Sequence, residues 1–318
     1  MKKKIFITQK LVGNIESFLE KHGFIVETFE KDRIITKNEL IKRASDTDAL
    51  ICLLSNKIDR EVIDNLKKCK IIANYAVGYN NIDVEYAKSK NIVVTNTPEV
   101  LTDATADIAV ALILACARRF HEGNKMMRQG KFKGWKPSLL LGYDIKDKTI
   151  GIIGAGRIGS EAAIRMKAFK TKIIYYSRSR NYKLEKKTNA KRVSLNYLLK
   201  NADIISIHVP LTEKTYHMLN KENLSLLKES AIVVNTSRGE VVEEKFLIEL
   251  LKKNKIFAAG FDVYENEPNV NPELLKLNNV FLLPHIGSAT FETRTKMALL
   301  AAQNVAEVLK GNKPLTPV

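Results

Sequence analysis

Cysteine is scarce: there are three, Cys52, Cys69 and Cys116, far apart and odd in number. Neither a disulfide framework nor a zinc site fits that count and spacing. The five histidines (His22, His121, His208, His217, His285) lack ligand spacing such as HxxxH, so no metal site is expected. Glycine and proline number only 15 and 8, which excludes collagen-like and low-complexity structure. Long apolar runs are missing too: the longest, Ile108 to Ala117, is about half the ~20 residues that a membrane span needs. Lys2 to Lys4 are followed by only a brief apolar stretch before Gln9 and Lys10, unlike a secretory signal. The expectation is a cytoplasmic chain with no membrane partner.

What remains is ordinary for a globular protein: 318 residues, 45% hydrophobic and 27% charged, enough for two domains with separate cores. The net charge of +17 raises the possibility of a nucleic-acid partner. The lysines are spread along the whole chain, however, with no dense basic arm, aromatic-interleaved motif or zinc finger. No nucleic-acid partner is expected.

Short β-rich runs alternate with helical patterns throughout, the mark of α/β proteins with parallel sheets. Lys4–Thr8, Phe24–Thr28, Ala49–Leu54, Ile71–Asn74 and Ile92–Thr95 read as strands, with helices near 11–21, 37–43, 59–68 and 83–89. After Thr97-Pro98 one long helix is expected from Ala104 to about Met127, apolar nearly all round over its first half and so buried between domains or subunits. A connection from Gly130 to Lys148 holds the single tryptophan, Trp135. A second alternating region runs to about Pro284, and Thr290 to Lys310 forms a closing amphipathic helix.

Lys148–Ile153 reads as a buried strand and leads directly into Gly154-Ala-Gly156-Arg-Ile-Gly159 and a helix. A lone GxGxxG is weak, but between a strand and a helix it is a dinucleotide fingerprint. Gly154 permits the tight turn, Gly156 lets backbone N–H groups approach a pyrophosphate, and Gly159 packs helix against sheet. The fingerprint expects an acid about 20 positions on for the ribose of NAD. This chain has Ser177-Arg178-Ser179-Arg180 instead, with two guanidiniums where a 2′-phosphate would sit. NADP(H) is therefore expected in preference to NAD(H).

Three further strands end in unusual polar residues: Asn235-Thr-Ser-Arg238-Gly239, Asp262-Val-Tyr-Glu265-Asn-Glu267-Pro268 and Pro284-His285-Ile-Gly-Ser288. Strand carboxyl ends form the ligand crevice of an open α/β sheet, so an Arg, a carboxylate and a His can converge there.

With these motifs and His208-Val-Pro-Leu-Thr212, the chain resembles the D-2-hydroxyacid dehydrogenase family over essentially its whole length. Ala73–Tyr79, Thr95–Pro98, Leu101–Asp107, Gly134-Trp-Lys-Pro137 and Tyr175-Tyr-Ser-Arg178 make it most similar to glyoxylate/hydroxypyruvate reductases. The resemblance implies an α/β fold of two Rossmann-like or flavodoxin-like parallel-sheet domains with an active-site cleft between them. The substrate domain would be discontinuous, 1–98 and 286–318, with the dinucleotide domain at 99–285.

The same resemblance implies the roles of individual residues. Arg238 would bind the carboxylate and carbonyl of a small 2-oxo acid, His285 would donate the proton, and Glu267, directly before the proline, would pair with His285. Val77 and Gly78 would hold the substrate carboxylate through their N–H groups, with Leu54 and Ser55 beside them. Trp135 would either enter the partner subunit's substrate pocket or anchor the interface of a homodimer formed through the cofactor domain. Asp262 would contact the nicotinamide carboxamide. Around the cofactor would lie Thr105, Gly154, Gly156, Arg157, Ile158, Gly159, Ser177, Arg178, Ser179, Pro210, Thr215, Thr236, Arg238 and Gly287.

The implied reaction is reduction of glyoxylate or hydroxypyruvate to the D-2-hydroxy acid. Arg238 can grip a carboxylate in a planar fork, and a carboxylate beside His285 favours the imidazolium. The competing readings are a 3-phosphoglycerate or D-lactate dehydrogenase and a cofactor-sensing corepressor. The 318 residues leave no room for an appended regulatory domain, and an intact Arg238–Glu267–His285 set favours catalysis.

Overall fold

The computed structural model of the chain describes residues 2–318. Two compact units form: residues up to Leu101 together with Ser288–Val318, and Thr102–Gly287. No helix among the described residues is long and apolar enough to cross a membrane.

In the first unit, five short apolar strands make one parallel sheet: β1 (Lys4–Ile7), β2 (Ile25–Thr28), β3 (Ala49–Cys52), β4 (Ile71–Asn74) and β5 (Val93–Thr95). Their order, β2-β1-β3-β4-β5, is flavodoxin-like. Between them run α1 (Ile15–Lys21), α2 (Lys37–Ala44), α3 (Arg60–Asn65) and α4 (Val84–Ser89). Alternation within the strands splits the core in two. Phe6, Leu50 and Ile72 face α2 and α3, whereas Ile5, Ile7, Ile51 and Ile71 face the other side. That second face is covered by the C-terminal helix, Phe291–Leu309, through Ala298, Ala301, Ala302, Val305 and Leu309. The small alanines let this helix lie close on β3 and β4, and Thr290 caps its start by accepting from the Thr293 N–H at 3.1 Å.

The second unit starts with α5 (Thr102–Ala117) and α6 (Phe120–Arg128). Then follow β6 (Thr149–Ile153), α7 (Arg157–Ala168), β7 (Lys172–Tyr176), α8 (Tyr182–Thr188), β8 (Lys191–Arg192), α9 (Leu195–Asn201) and β9 (Ile204–Ile207). The rest is α10 (Lys221–Leu224), β10 (Ile232–Asn235), α11 (Glu244–Lys252), β11 (Ala258–Phe261), α12 (Pro272–Leu275) and β12 (Val280–Leu282). All seven strands are parallel, in the order β12-β11-β10-β9-β6-β7-β8. This is the doubly wound arrangement, and chain direction across the sheet reverses between β6 and β9. Helices α9 and α11 cover one face through Leu198, Leu199, Leu247 and Leu251, and α5 and α7 cover the other through Leu112, Ile113, Ala163 and Met166.

The single helix expected from Ala104 to about Met127 is in fact two. The Ala117 carbonyl, which a continuing helix would bond to the His121 N–H, instead accepts from the Tyr143 N–H at 2.9 Å. Gly142 permits that crossing, because a Cβ there would stand 2.0 Å from the Ala117 oxygen. The chain then turns at Arg119, whose φ is +53°. Within its own unit α5 packs against β10, β11 and α7.

Candidate active site

The residues of the proposed chemistry sit on consecutive strand ends of the seven-stranded sheet, each held by local bonds. After β10, the Asn235 side chain shapes the turn. Its Oδ1 accepts from the N–H and hydroxyl of Ser237, at 3.0 and 2.9 Å, and its Nδ2 donates to the Arg238 carbonyl at 2.8 Å. Arg238 is half-buried, and its Nη1 donates to the Ser237 carbonyl at 2.7 Å. Burial pushes its guanidinium below the usual arginine value, opposed by the carboxylates of Glu267 and Glu240.

After β11, Glu267 uses both carboxylate oxygens. Oε1 accepts from the Tyr264 N–H at 3.0 Å, and Oε2 meets Nδ1 of His285 at 2.8 Å. Burial would raise the Glu267 carboxyl, but the His285 bond and charge, the Tyr264 N–H and Arg238 together hold it below the ordinary range. Glu267 is therefore an anion at neutral pH. Among the described residues, Nε2 of His285 has no hydrogen-bond partner, so it is the nitrogen left to face a ligand.

His285 follows β12 with φ of +54°, a backbone region that few side chains adopt. The next two residues hold it there: the N–H groups of Ile286 and Gly287 donate to the two oxygens of Asp262, each at 2.7 Å. Asp262 is 1% exposed. Burial raises its pKa, opposed by those N–H groups and by His285. Both oxygens of Asp262 thus hold the His285 turn. Glu265 lies on a different pair, meeting Nε2 of His217 at 2.7 Å.

The fingerprint residues fit a dinucleotide. Gly154 has φ of +97°, and a Cβ on it would lie 2.7 Å from the His208 carbonyl carbon. A Cβ on Gly159 would lie 2.1 Å from the Gly154 oxygen, whereas Gly156 faces open space. Gly156 is the N-cap of α7 and has no side chain to bond the first N–H groups, which leaves them for an anion. Arg157 is exposed there, and Ile158 packs on Ala106, Ala109 and Ala162. Thr105 of α5 donates to the Gly287 carbonyl at 3.2 Å. Thr236 lies 3.5 Å from Nδ1 of His208. The Thr215 hydroxyl closes its turn by donating to the Pro210 carbonyl at 2.6 Å.

Ser177, Arg178 and Ser179 follow β7, the last two exposed. Arg180, the second guanidinium of that turn, is turned to Glu185 at 2.9 Å. Asn181, absent from the sequence reading, donates to the Ala155 carbonyl at 2.9 Å and so ties this turn to the fingerprint.

In the first unit, Leu54 and Ser55 follow β3, and Val77 and Gly78 follow β4. Asn96 and Asn74 donate to the Val77 and Gly78 carbonyls, each at 2.8 Å. Among the described residues the N–H groups of Val77 and Gly78 have no acceptor. Trp135 is 80% exposed on the connection between α6 and β6.

The dinucleotide fingerprint and the Glu267–His285 pair thus lie on one sheet. Residues 110–287 match the model of the D-isomer specific 2-hydroxyacid dehydrogenase NAD binding domain. The chain belongs to the D-isomer-specific 2-hydroxyacid dehydrogenases. It is 49% identical to a glyoxylate reductase of Thermococcus litoralis, over 99% of this chain and 96% of that one. A Thermus thermophilus protein of known structure superposes with a TM-score of 0.94 at 41% identity, covering 99% of both chains. An NADPH-dependent glyoxylate/hydroxypyruvate reductase of Sinorhizobium meliloti, solved with NADP and malonate, gives 0.87 at 31% identity, covering 100% of this chain and 97% of that one.

His208, directly after β9 of this dehydrogenase, has a pH consequence. It joins Ser206, at 2.8 Å, to Thr236, and burial lowers its pKa from 6.5 to about 4. The unfolded chain takes up this proton first as pH falls, so the stabilisation is complete above pH 6.5 and is lost toward pH 4. Thermal melts of the wild type should therefore fall more steeply across that window than those of His208→Gln. Parallel curves would rule the neutral buried histidine out.

Proposed function

We propose that this dehydrogenase reduces a small 2-oxo acid, glyoxylate or hydroxypyruvate, to its D-2-hydroxy acid, using NADPH in preference to NADH. The observation that carries this reading is the 2.8 Å contact of Glu267 with Nδ1 of His285, which turns Nε2 into the available proton donor. Arg238 polarises the carbonyl and grips the carboxylate of the acid in its planar fork. In the first unit, the N–H groups of Val77 and Gly78 are assigned to the substrate carboxylate, with Leu54 and Ser55 beside them. The nicotinamide supplies the hydride. As alkoxide character develops on the substrate oxygen, Nε2–H of His285 transfers its proton there, and Glu267 stabilises the imidazolium until then. Asp262 keeps the His285 turn in place.

NADPH preference rests on the turn after β7, where Ser177 occupies the position of the usual ribose-binding acid. Ser177 can donate to a 2′-phosphate that an acid would repel, and Arg178 is exposed beside it. The fingerprint at Gly154 to Gly159, with Arg157 and Ile158, takes the pyrophosphate. Thr105, Ser179, Pro210, Thr215, Thr236 and Gly287 line the rest of the cofactor path. A cytoplasmic location goes with this reading, since three free, buried thiols suit a reducing compartment.

We also read the enzyme as a homodimer formed through the second unit. Phe120, Met127, Phe132, Trp135 and Leu141 are 48–80% exposed within 22 residues of chain, a density of apolar surface that marks an interface. Light scattering should give twice the chain mass for the wild type and a concentration-dependent lower mass for Trp135→Ser. A monomeric wild type would remove the dimer.

His285→Ala should lower kcat for 2-oxo acid reduction by about 10²–10⁴ while cofactor affinity stays within a few-fold. Glu267→Gln takes the anion away from Nδ1 of His285 and should lower kcat while cofactor affinity stays within a few-fold. An unchanged kcat would break the pairing as a functional one. With both cofactors assayed, the wild type should favour NADPH by about 10- to 100-fold in kcat/KM, since one charge-assisted bond is worth ~1.5–3 kcal/mol. Ser177→Asp should reverse that order. Equal use of NADH by the wild type would refute the preference.

A further inference from the structure

Arg192 closes the two-residue edge strand β8, opposite Tyr175 of β7. Its guanidinium reaches over the end of β7. Nε and Nη2 donate to the Ser177 carbonyl at 3.1 and 3.0 Å, and Nη2 donates to the Arg178 carbonyl at 2.7 Å. Three guanidiniums therefore surround this turn, and they are employed differently. Arg180 is held by Glu185 and lies over the Tyr182 ring, 5.0 Å from its centroid. Glu185 in turn accepts from the Tyr175 hydroxyl at 2.7 Å, which fixes the pair against the sheet. Arg192 is spent on the two carbonyls. Among the described residues the Arg178 guanidinium makes no hydrogen bond, so it is the one left to meet a ligand.

We propose that Arg192 is a specificity-determining residue for the cofactor, acting by covering the carbonyl oxygens of Ser177 and Arg178. This rests on the NADPH reading given above and adds a residue to it. Bare carbonyl oxygens at the end of a strand are acceptors. They attract the hydroxyl donors of an unmodified ribose and repel the oxygens of a 2′-phosphate. A guanidinium laid across both reverses the sign of the field at that point. It also fixes the turn, so that the Ser177 hydroxyl and the Arg178 side chain are presented together. The planar fork is what makes this possible, because it reaches two oxygens of adjacent residues at once, and a single ammonium does not. The turn is exposed, so screening keeps the effect moderate and makes it smaller at high salt.

The experiment is steady-state kinetics at low ionic strength with NADPH and with NADH, on the wild type, Arg192→Met and Arg192→Lys, alongside thermal melts. In Arg192→Met the KM for NADPH should rise about fivefold or more, while that for NADH stays within about twofold or falls and kcat is unchanged. Arg192→Lys should recover only part of the loss, and added salt should shrink the gap between wild type and variant. A merely structural role would raise both KM values together, and that result, or no change in either, would overturn the assignment. The two readings fail separately. Cofactor preference is judged on the ratio of KM values in the wild type, and the role of Arg192 on the change of that ratio in the variants.

Discussion

A Cβ on Gly239 would lie 1.9 Å from the carbonyl carbon of Tyr264 and 2.2 Å from the nitrogen of Glu265. Only bare backbone can meet backbone at that distance, and the three loops of the candidate site depend on it. Arg238 precedes Gly239 in the chain, so the contact locates the backbone of Arg238 beside the loop after β11. Within that loop the Tyr264 N–H takes one oxygen of Glu267. The Tyr264 hydroxyl crosses to the Leu283 carbonyl at 2.8 Å, two residues before His285. The loops that carry Arg238, Glu267 and His285 are thus tied to one another by a backbone contact and by hydrogen bonds to main-chain atoms. That is how a site is held to the tolerance that proton and hydride chemistry needs.

Much of this was legible in the sequence because it is local. Each strand of the first sheet is a short run rich in apolar residues, and each strand is there. The fingerprint combines a strand, three glycines and a helix within 22 residues, and each glycine does what its position requires. What was not legible depends on chain segments that meet from a distance. The end of α5 at Ala117 is set by Gly142, 25 residues on, and nothing in the helix itself announces it. Arg192 reads as one more surface cation in a chain of 52 Lys and Arg until β8 is seen to pair with β7. Of the two glutamates in Asp262–Pro268, the motif chose Glu267 for His285, but the partner of Glu265 was not legible: it meets His217.

The net charge of +17 explains less than its size suggests. Many of the paired cations sit at the exposed surface, as Lys4 does with Asp46 and Lys252 does with Glu273, and such pairs contribute ~0–1 kcal/mol each. Where charge matters, it is sorted by geometry. Arg165 ties α7 to Asp103 and Asp107 of α5, at 2.7 and 2.6 Å, and so seats the helix that begins at the fingerprint. Arg180, read from the sequence as a phosphate ligand, is neutralised by Glu185 instead.

Within the candidate site the same sorting gives each ionisable group one task. Asp262 is deeply buried and its carboxyl is raised, so its oxygens serve as a backbone anchor rather than as a partner for the imidazole. Glu267 is more exposed and is held low by His285, the Tyr264 N–H and Arg238, so it stays an anion. Because that carboxyl is depressed in the folded state, its contribution to stability is present above the ordinary carboxylate range. It is lost as pH falls through the folded value. The range in which the fold is best supported is then the range in which Glu267 is an anion beside Nδ1 of His285. Two carboxylates five residues apart are thus moved in opposite directions, Asp262 raised by burial and Glu267 held low by its hydrogen bonds and neighbouring charges.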